Sequence, residues 1–274
     1  RRDEALIAVR EHRSLVEYYF TCSPSLPLYV FKHAPQVDQV TYIDSDLYFF
    51  HDPQPVFNEI GSSSIAIITH RFPACLKPLE AMGIFNVGWL TFKRDEEGLA
   101  CLERWRAQCL EWCFDRVEGT RYADQGYLNE WPALYKNLVV LQQKGADLAP
   151  WNLAGTSLKD NGGTIWVDQD PLVFFHFQSL ARLSNGAYKL NFHKYRLRPS
   201  RFVREKIYAP YLQELEALSA THRLSSKDER LRAPGDTKYL LSFQRGAPLI
   251  PAVKSNLAVL RDLLQVDYLF PGDR

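Results

Sequence analysis

Along the first two thirds of the chain, apolar positions alternate between a helical and a strand period. Residues 3–20 carry apolar side chains at helical spacing and predict one helix; Pro24 and Pro27 mark the start of a shorter one running to about His33. Val40-Thr41-Tyr42-Ile43 is a β-branched and aromatic run of the kind that forms a buried strand. Ser62-Ser63-Ser64 precedes a second such run, Ile65-Ala66-Ile67-Ile68, and residues 86–92 read as a third. Asp95-Glu96-Glu97 then opens a strong helix to about Phe114. Its acidic first turn suits the helix dipole, and Leu99, Leu102, Trp105, Cys109 and Cys113 form its buried stripe.

Past Trp131-Pro132 a strand is predicted at about 138–142. Asn161-Gly162-Gly163 is a tight-turn signal between Ser157-Leu158 and Thr164-Ile165-Trp166-Val167, which predicts a hairpin. Residues 171–177 are almost wholly apolar and β-prone, with His176 inside the run. From 182 to 206 the composition shifts to eight Lys or Arg against one acid, Glu205. A helix at about 201–219, a polar Pro/Gly-containing segment at 221–250 and an amphipathic helix at about 252–265 complete the pattern. Alternating helices and strands predict an α/β domain over 1–200, followed by a helical extension over 201–274.

Composition narrows the class. The 274 residues are 46% hydrophobic and 24% charged, which excludes a disordered or fibrous chain. No apolar run approaches the roughly 18 residues of a membrane span. A formal net charge of +1 gives no electrostatic case for nucleic acid. With a single methionine, Met82, and an opening of Arg1-Arg2-Asp3-Glu4, the sequence is expected to be processed or truncated. The five cysteines form no CxxC pair, so the expectation is buried thiols in a reducing cytoplasm rather than a zinc site.

The sharpest chemistry is Asp44-Ser45-Asp46, directly after the strand at 40–43. Two carboxylates one residue apart at a strand's carboxyl end can both reach a divalent cation, and that end of an open α/β sheet is where ligands bind. An acidic turn after a strand is the plain alternative. His176 likewise reads either as a satisfied core histidine or as a metal ligand. Asp124-Gln125 reads as helix capping or as site residues, and Asn86-Val87-Gly88 as a strand bulge or as site residues. Trp151 reads as packing or as a sugar-stacking platform.

Taken in order, Glu17-Tyr18-Tyr19, Leu26-Pro27-Leu28-Tyr29, Thr41-Tyr42-Ile43-Asp44-Ser45-Asp46-Leu47, Phe85-Asn86-Val87-Gly88-Trp89-Leu90, Ala123-Asp124-Gln125-Gly126-Tyr127-Leu128-Asn129 and Phe175-His176-Phe177 make one pattern. It resembles the nucleotide-sugar-dependent glycosyltransferases of the GT-A fold, closest to the family-eight-like retaining enzymes. The resemblance implies a mixed central sheet flanked by helices. It implies Asp44, Asp46 and His176 as ligands of Mn²⁺ (or Mg²⁺) against a donor diphosphate; imidazole plus carboxylate oxygens suits Mn²⁺ better than Ca²⁺. Asn86 and Asp124 would hydrogen-bond sugar hydroxyls, with Ser45 and Gly88 beside the donor. Gln125 would lie near the anomeric carbon, with Asp124 its catalytic companion.

Three departures stand out. The family's His-x-x-Gly-x-x-Lys reads here as His176-Phe177-Gln178-Ser179-Leu180-Ala181-Arg182, so Arg182 takes the phosphate-binding lysine's place and Ser179 a glycine's. Nothing before Glu17 resembles the nucleobase-binding strand-helix unit, which is expected to be missing. A non-catalytic sugar-nucleotide or glycan binding protein on a decayed frame is therefore the alternative function. A phosphohydrolase using Asp-x-Asp fits less well, because Tyr48 stands where it needs Thr or Val and Gly235-Asp236 lacks an acidic partner. The expected partners are a nucleotide-sugar donor and a glycan or lipid-linked acceptor, without nucleic acid. The basic, aromatic stretch 182–206 reads as a solvated face or as a peripheral membrane contact of a cytoplasmic protein.

Overall fold

A computed structural model describes residues 3–183, 186–222 and 268–269. The chain divides into two units, Arg1–Phe177 and Gln178–Arg274. The first begins with α1 (Glu4–Arg10), α2 (Leu15–Cys22) and α3 (Ser25–His33). Next come β1 (Gln39–Ile43), β2 (Leu47–Phe49), α4 (Gln54–Ile60), β3 (Ile65–Thr69), β4 (Phe85–Lys93) and α5 (Glu96–Glu111). It ends with α6 (Trp131–Leu134), β5 (Leu138–Leu141), β6 (Leu158–Asn161), β7 (Thr164–Val167), β8 (Asp170–Pro171) and β9 (Phe174–His176). This is the mixed α/β class expected from the alternating pattern.

The helix predicted over 3–20 is two helices. The first stops at Arg10, and Ser14 caps the second: its hydroxyl accepts from Glu17 N at 3.3 Å, and Glu17 Oε2 accepts from Ser14 N at 2.7 Å. This reciprocal capping box satisfies two otherwise orphaned N–H groups, which outweighs continuing the apolar period. The strong helix at 95–114 starts as expected, with Asp95 accepting from Gly98 N at 2.8 Å, but stops at Glu111 because Trp112 turns extended (φ −147°). The short α4 carries too few residues for a period to show in the sequence.

A four-stranded mixed sheet of order β1-β4-β3-β5 forms the centre, with only β3 and β5 pairing in parallel. One face packs Phe31, Leu90, Phe92, Leu102, Trp105 and Trp131. The other packs Val56, Ile60, Ala66, Ile68, Trp89 and Phe174. On β3 the two sets alternate as a strand requires. On β4, Phe85 and Val87 share a face with Leu90 and Phe92, which breaks the alternation. The register to β3 jumps from Ala66↔Thr91 to Ile68↔Asn86, so a bulge occupies the Val87-Gly88 region. Arg94, just past β4, donates to the carbonyls of Phe31, Ala34 and Val37 (2.6–2.8 Å) and so ties the open end of α3 to the sheet.

The predicted hairpin forms between β6 and β7, turning through Gly162 and Gly163 at φ +64° and +92°. The apolar run 171–177 is split: β8 closes the hairpin sheet, and β9 pairs antiparallel with β2 in a separate two-stranded ladder. Cys101, Cys109 and Cys113 are buried free thiols, as their spacing predicts.

The second unit holds β10 (Ala181–Arg182), β11 (Tyr188–Lys189), a π-helical turn (Val203–Tyr208) running into α7 (Ala209–His222), and β12 (Tyr268–Leu269). Tyr188 and Phe192, counted among the aromatics of the basic stretch, are buried in this unit. The amphipathic helix predicted at 252–265 and the segment 223–250 lie outside the described residues. Among the described residues, no helix is long and apolar enough to cross a membrane.

Leu102→Ala empties a fully buried position where α5 meets the sheet. It is expected to cost about 2–5 kcal/mol, seen as a lower denaturant midpoint at unchanged m-value. A loss well under 1 kcal/mol would contradict this packing.

Candidate metal centre

β1 ends at Ile43, and the following turn projects Asp44 and Asp46 before β2 begins. The β2–β9 register sets Leu47 opposite His176, and Phe177 N donates to Asp46 O at 2.8 Å. Residues 130 or more positions apart in sequence thus converge: one ligand atom each from Asp44, Asp46 and His176 lies within 4.8 Å of the others. His176 Nε2 stands 3.1 Å from Asp46 Oδ1 and 3.9 Å from Asp44 Oδ2, without hydrogen-bond alignment to either. His176 is nearly inaccessible, whereas the aspartates keep about a third of their side-chain surface (32% and 37%). Two carboxylates and an imidazole make a donor set that fits a divalent transition-metal ion, and the unaligned Nε2 is the atom such an ion would engage.

The bulge in β4 makes room for this cluster. A Cβ at Gly88 would stand 3.0 Å from His176 Nδ1 and 3.1 Å from Asn86 Oδ1, close enough that the neighbours would have to shift by a few tenths of an ångström. Gly88 is therefore a floor beneath the imidazole, and its N–H donates to Asn86 Oδ1 at 2.6 Å. Of the alternatives for 86–88 the bulge is present, and it sets Gly88 against His176. Behind Asp44, Tyr42 donates its hydroxyl to Oδ1 at 3.1 Å, and Ser23 Oγ lies 3.3 Å from the same hydroxyl. Ser45 is exposed at the tip of the turn.

The electrostatics follow from crowding carboxylates around one imidazole. Burial would push the His176 pKa down, but the hydrogen bond to Asp147 and the nearness of Asp46 overcome it and raise it to about 10. Burial alone would push the Asp46 carboxyl up; adjacent His176 outweighs this and holds it below the usual range. Asp44 is raised, because burial and neighbouring Asp46 together exceed the pull of His176. Asp124, only 3% exposed, is pushed up to about 7, by burial first and then by the charge of Asp44.

The remaining predicted residues are less convergent. Gln125 donates its side-chain amide to Met82 O at 2.7 Å, and Gly83 packs against its side chain. Gln125, at the N-cap of the short helical turn Gly126–Glu130, makes no side-chain cap, and Asp124 before it is buried. Trp151 is buried with its ring roughly perpendicular to the His176 imidazole at 5.0 Å, so it packs against that side chain instead of offering an open stacking platform. His70, without an assigned role, is buried against Phe72 and Trp151, and burial holds its pKa down to about 4.

Arg182 belongs to the second unit, where its guanidinium is bidentate on Glu216 at 3.0 and 3.2 Å. Ser179, in place of a glycine, keeps the left-handed backbone (φ +63°) that glycine favours. Asp147 was not signalled by any motif. It is wholly buried, and its Oδ1 lies 3.0 Å from His176 Nδ1.

Because the folded-state pKa of Asp124 lies above its ordinary 3.8, its contribution to stability is complete below about pH 4 and lost as pH rises through about 7. Asp124→Asn removes that dependence, so the variant is expected to gain on the parent between these limits in metal-free urea unfolding. Parallel pH profiles would show that Asp124 ionises normally.

No protein-family model matches the chain. In sequence it is similar to two proteins of Bacillus subtilis (strain 168). To the uncharacterized protein YfnD it is 28% identical over 217 residues, covering 78% of this chain and 69% of YfnD. To the uncharacterized protein YfnF it is 31% identical over 185 residues, covering 64% of this chain and 60% of YfnF, less than two thirds of that relative. Among solved structures it is similar to a glycosyltransferase involved in the glycosylation of the major capsid of PBCV-1. That match has 9% identity and a TM-score of 0.39, over 66% of this chain and 74% of the other. A second is the glycosyltransferase GlyE of Streptococcus pneumoniae TIGR4, with 23% identity and a TM-score of 0.28, over 44% of this chain and 29% of GlyE. Overlaps this partial carry no functional weight, which rests on the residues of the site.

Proposed function

We propose that the chain is a metal-dependent glycosyltransferase that moves a hexosyl group from a nucleotide-diphosphate donor, a UDP-sugar, to a hydroxyl of a glycan or lipid-linked acceptor, with retention at the anomeric carbon. The observation that carries this reading is the convergence of Asp44, Asp46 and His176 at one end of the sheet, from motifs whose order along the chain matches such enzymes. The ion, Mn²⁺ or Mg²⁺, would supply Lewis-acid stabilisation of the departing diphosphate. The chain's own residues do the rest. Asp44 and Asp46 hold charge toward the diphosphate side, and His176 offers the third ligand atom from a water-poor position. Asn86 and Asp124 meet sugar hydroxyls. Asp124 retains a proton up to about pH 7, so it can donate as well as accept a hydrogen bond. Gln125, held by Met82 O, lines the anomeric side.

Mn²⁺ is expected to raise the melting temperature, a UDP-hexose to raise it further, and EDTA to reverse both. At a metal concentration of 100 Kd the gain is about 2.7 kcal/mol. Asp46→Ala should abolish the Mn²⁺ shift and slow donor hydrolysis. A chain that responds to no donor, and whose Asp46→Ala variant behaves like the parent, is not a transferase. Donor binding without any turnover would instead favour the non-catalytic reading.

Metal binding must displace the proton that His176 otherwise holds. Below pH 10, Mn²⁺ affinity is therefore expected to climb with pH, by up to about tenfold per unit, with proton release in calorimetry. An affinity flat from pH 6 to 8 would mean that His176 is not a ligand.

A further inference from the structure

We propose that Asp147 is the positioning residue of this centre: it holds the His176 imidazole with hydrogen on Nδ1, so that Nε2 faces Asp44 and Asp46. The proposal rests on the metal reading above and adds a residue that neither the motifs nor the ligand cluster contains.

An ionised carboxylate only accepts hydrogen bonds, so Asp147 Oδ1, 3.0 Å from His176 Nδ1, requires that nitrogen to donate. Nε2 is then the nitrogen left for the cation, and it is the one lying 3.1 Å from Asp46 and 3.9 Å from Asp44. Asp147 Oδ2 is buried and has no hydrogen-bond partner among the described residues, so the carboxylate is committed to His176 alone. A buried carboxylate kept in this way is costly unless positive charge lies close by. An imidazole that is either protonated or metal-bound supplies it.

The surrounding structure over-determines where Asp147 sits. Its backbone has φ +55°, which L residues rarely adopt. Its carbonyl accepts from Arg71 Nη2 at 3.0 Å and from Asn152 Nδ2 at 2.9 Å. Arg71, half-buried against this loop, also donates to the carbonyls of Gln143 and Ala146. Asn152 closes back on Ala149 N at 2.9 Å. A Cβ at Gly145 would fall 1.8 Å from Pro171 O, and His176 N donates to Leu148 O at 2.8 Å, so the loop lies closely against β8 and β9. Gly88 and Trp151 pack against the ring from two further sides. Such a carboxylate–histidine pair also makes the imidazole a better donor to a metal.

The test uses the full chain. Asp147→Ala is expected to weaken Mn²⁺ binding about 10–100-fold by calorimetry, with Asp147→Asn, whose amide oxygen still accepts from Nδ1, recovering part of the loss. In the parent loaded with Zn²⁺ as a diamagnetic probe, ¹⁵N spectra of labelled histidine should show His176 protonated at Nδ1 and metal-bound at Nε2. Unchanged Mn²⁺ affinity in folded variants, or metal on Nδ1, overturns the proposal while leaving the metal reading intact. A parent that binds neither ion overturns both. Should Asp147→Ala not fold, the parent spectra and the Asp147→Asn affinity decide.

Discussion

Concentrating carboxylates around a single buried imidazole is the constraint on which the site depends. Asp44, Asp46 and Asp147 approach His176 from two sides, and Asp124 lies within reach of the charge on Asp44. Like charges held this close and partly out of water repel strongly, and each must be answered locally. His176 answers by holding a proton to about pH 10, and Asp124 by keeping its own to about pH 7. A divalent cation between the aspartates and Nε2 would relieve the same repulsion, so the charge that makes the site uneasy without a cation makes it receptive to one.

Three modest pieces of backbone keep this arrangement from relaxing. The β2–β9 ladder is three residues long, yet its register alone decides that His176 rather than Phe175 faces the aspartates, since a slip of one residue would exchange them. The bulge in β4 brings Gly88 under the ring and turns Trp89 to the opposite core, where it stacks on Phe174 of β9 at 5.4 Å. The loop laced by Arg71 and Asn152 delivers Asp147. Ladder, floor and loop all bear on β9, so packing there and ligand geometry cannot be altered independently.

Elements with strong local signals were legible in the sequence. The Ile65–Ile68 strand, the Asp95 cap and the Gly162-Gly163 turn each depend on neighbours a few residues away. The boundary at Ser14 was also written locally, as Ser-x-x-Glu, but the longer apolar period concealed it. Asp44, Asp46 and His176 could be named because their motifs stand in order. Asp147 could not, for an aspartate in a Gly-Ala-Asp-Leu segment looks like any loop residue until the fold sets it against the imidazole. Nor could the sequence reveal that Arg182 pairs with Glu216, 34 residues on.

The sequence by itself determined the α/β class and the identity of the three candidate ligands, because propensity, period and side-chain chemistry are properties of short segments. Tertiary structure alone decided which imidazole nitrogen meets the aspartates, how closely residue 88 approaches the ring, and that a third carboxylate, Asp147, stands behind the histidine. Those outcomes depend on ångström-scale contacts between segments far apart in the chain, where strand register and a bulge, not residue type, set the distances.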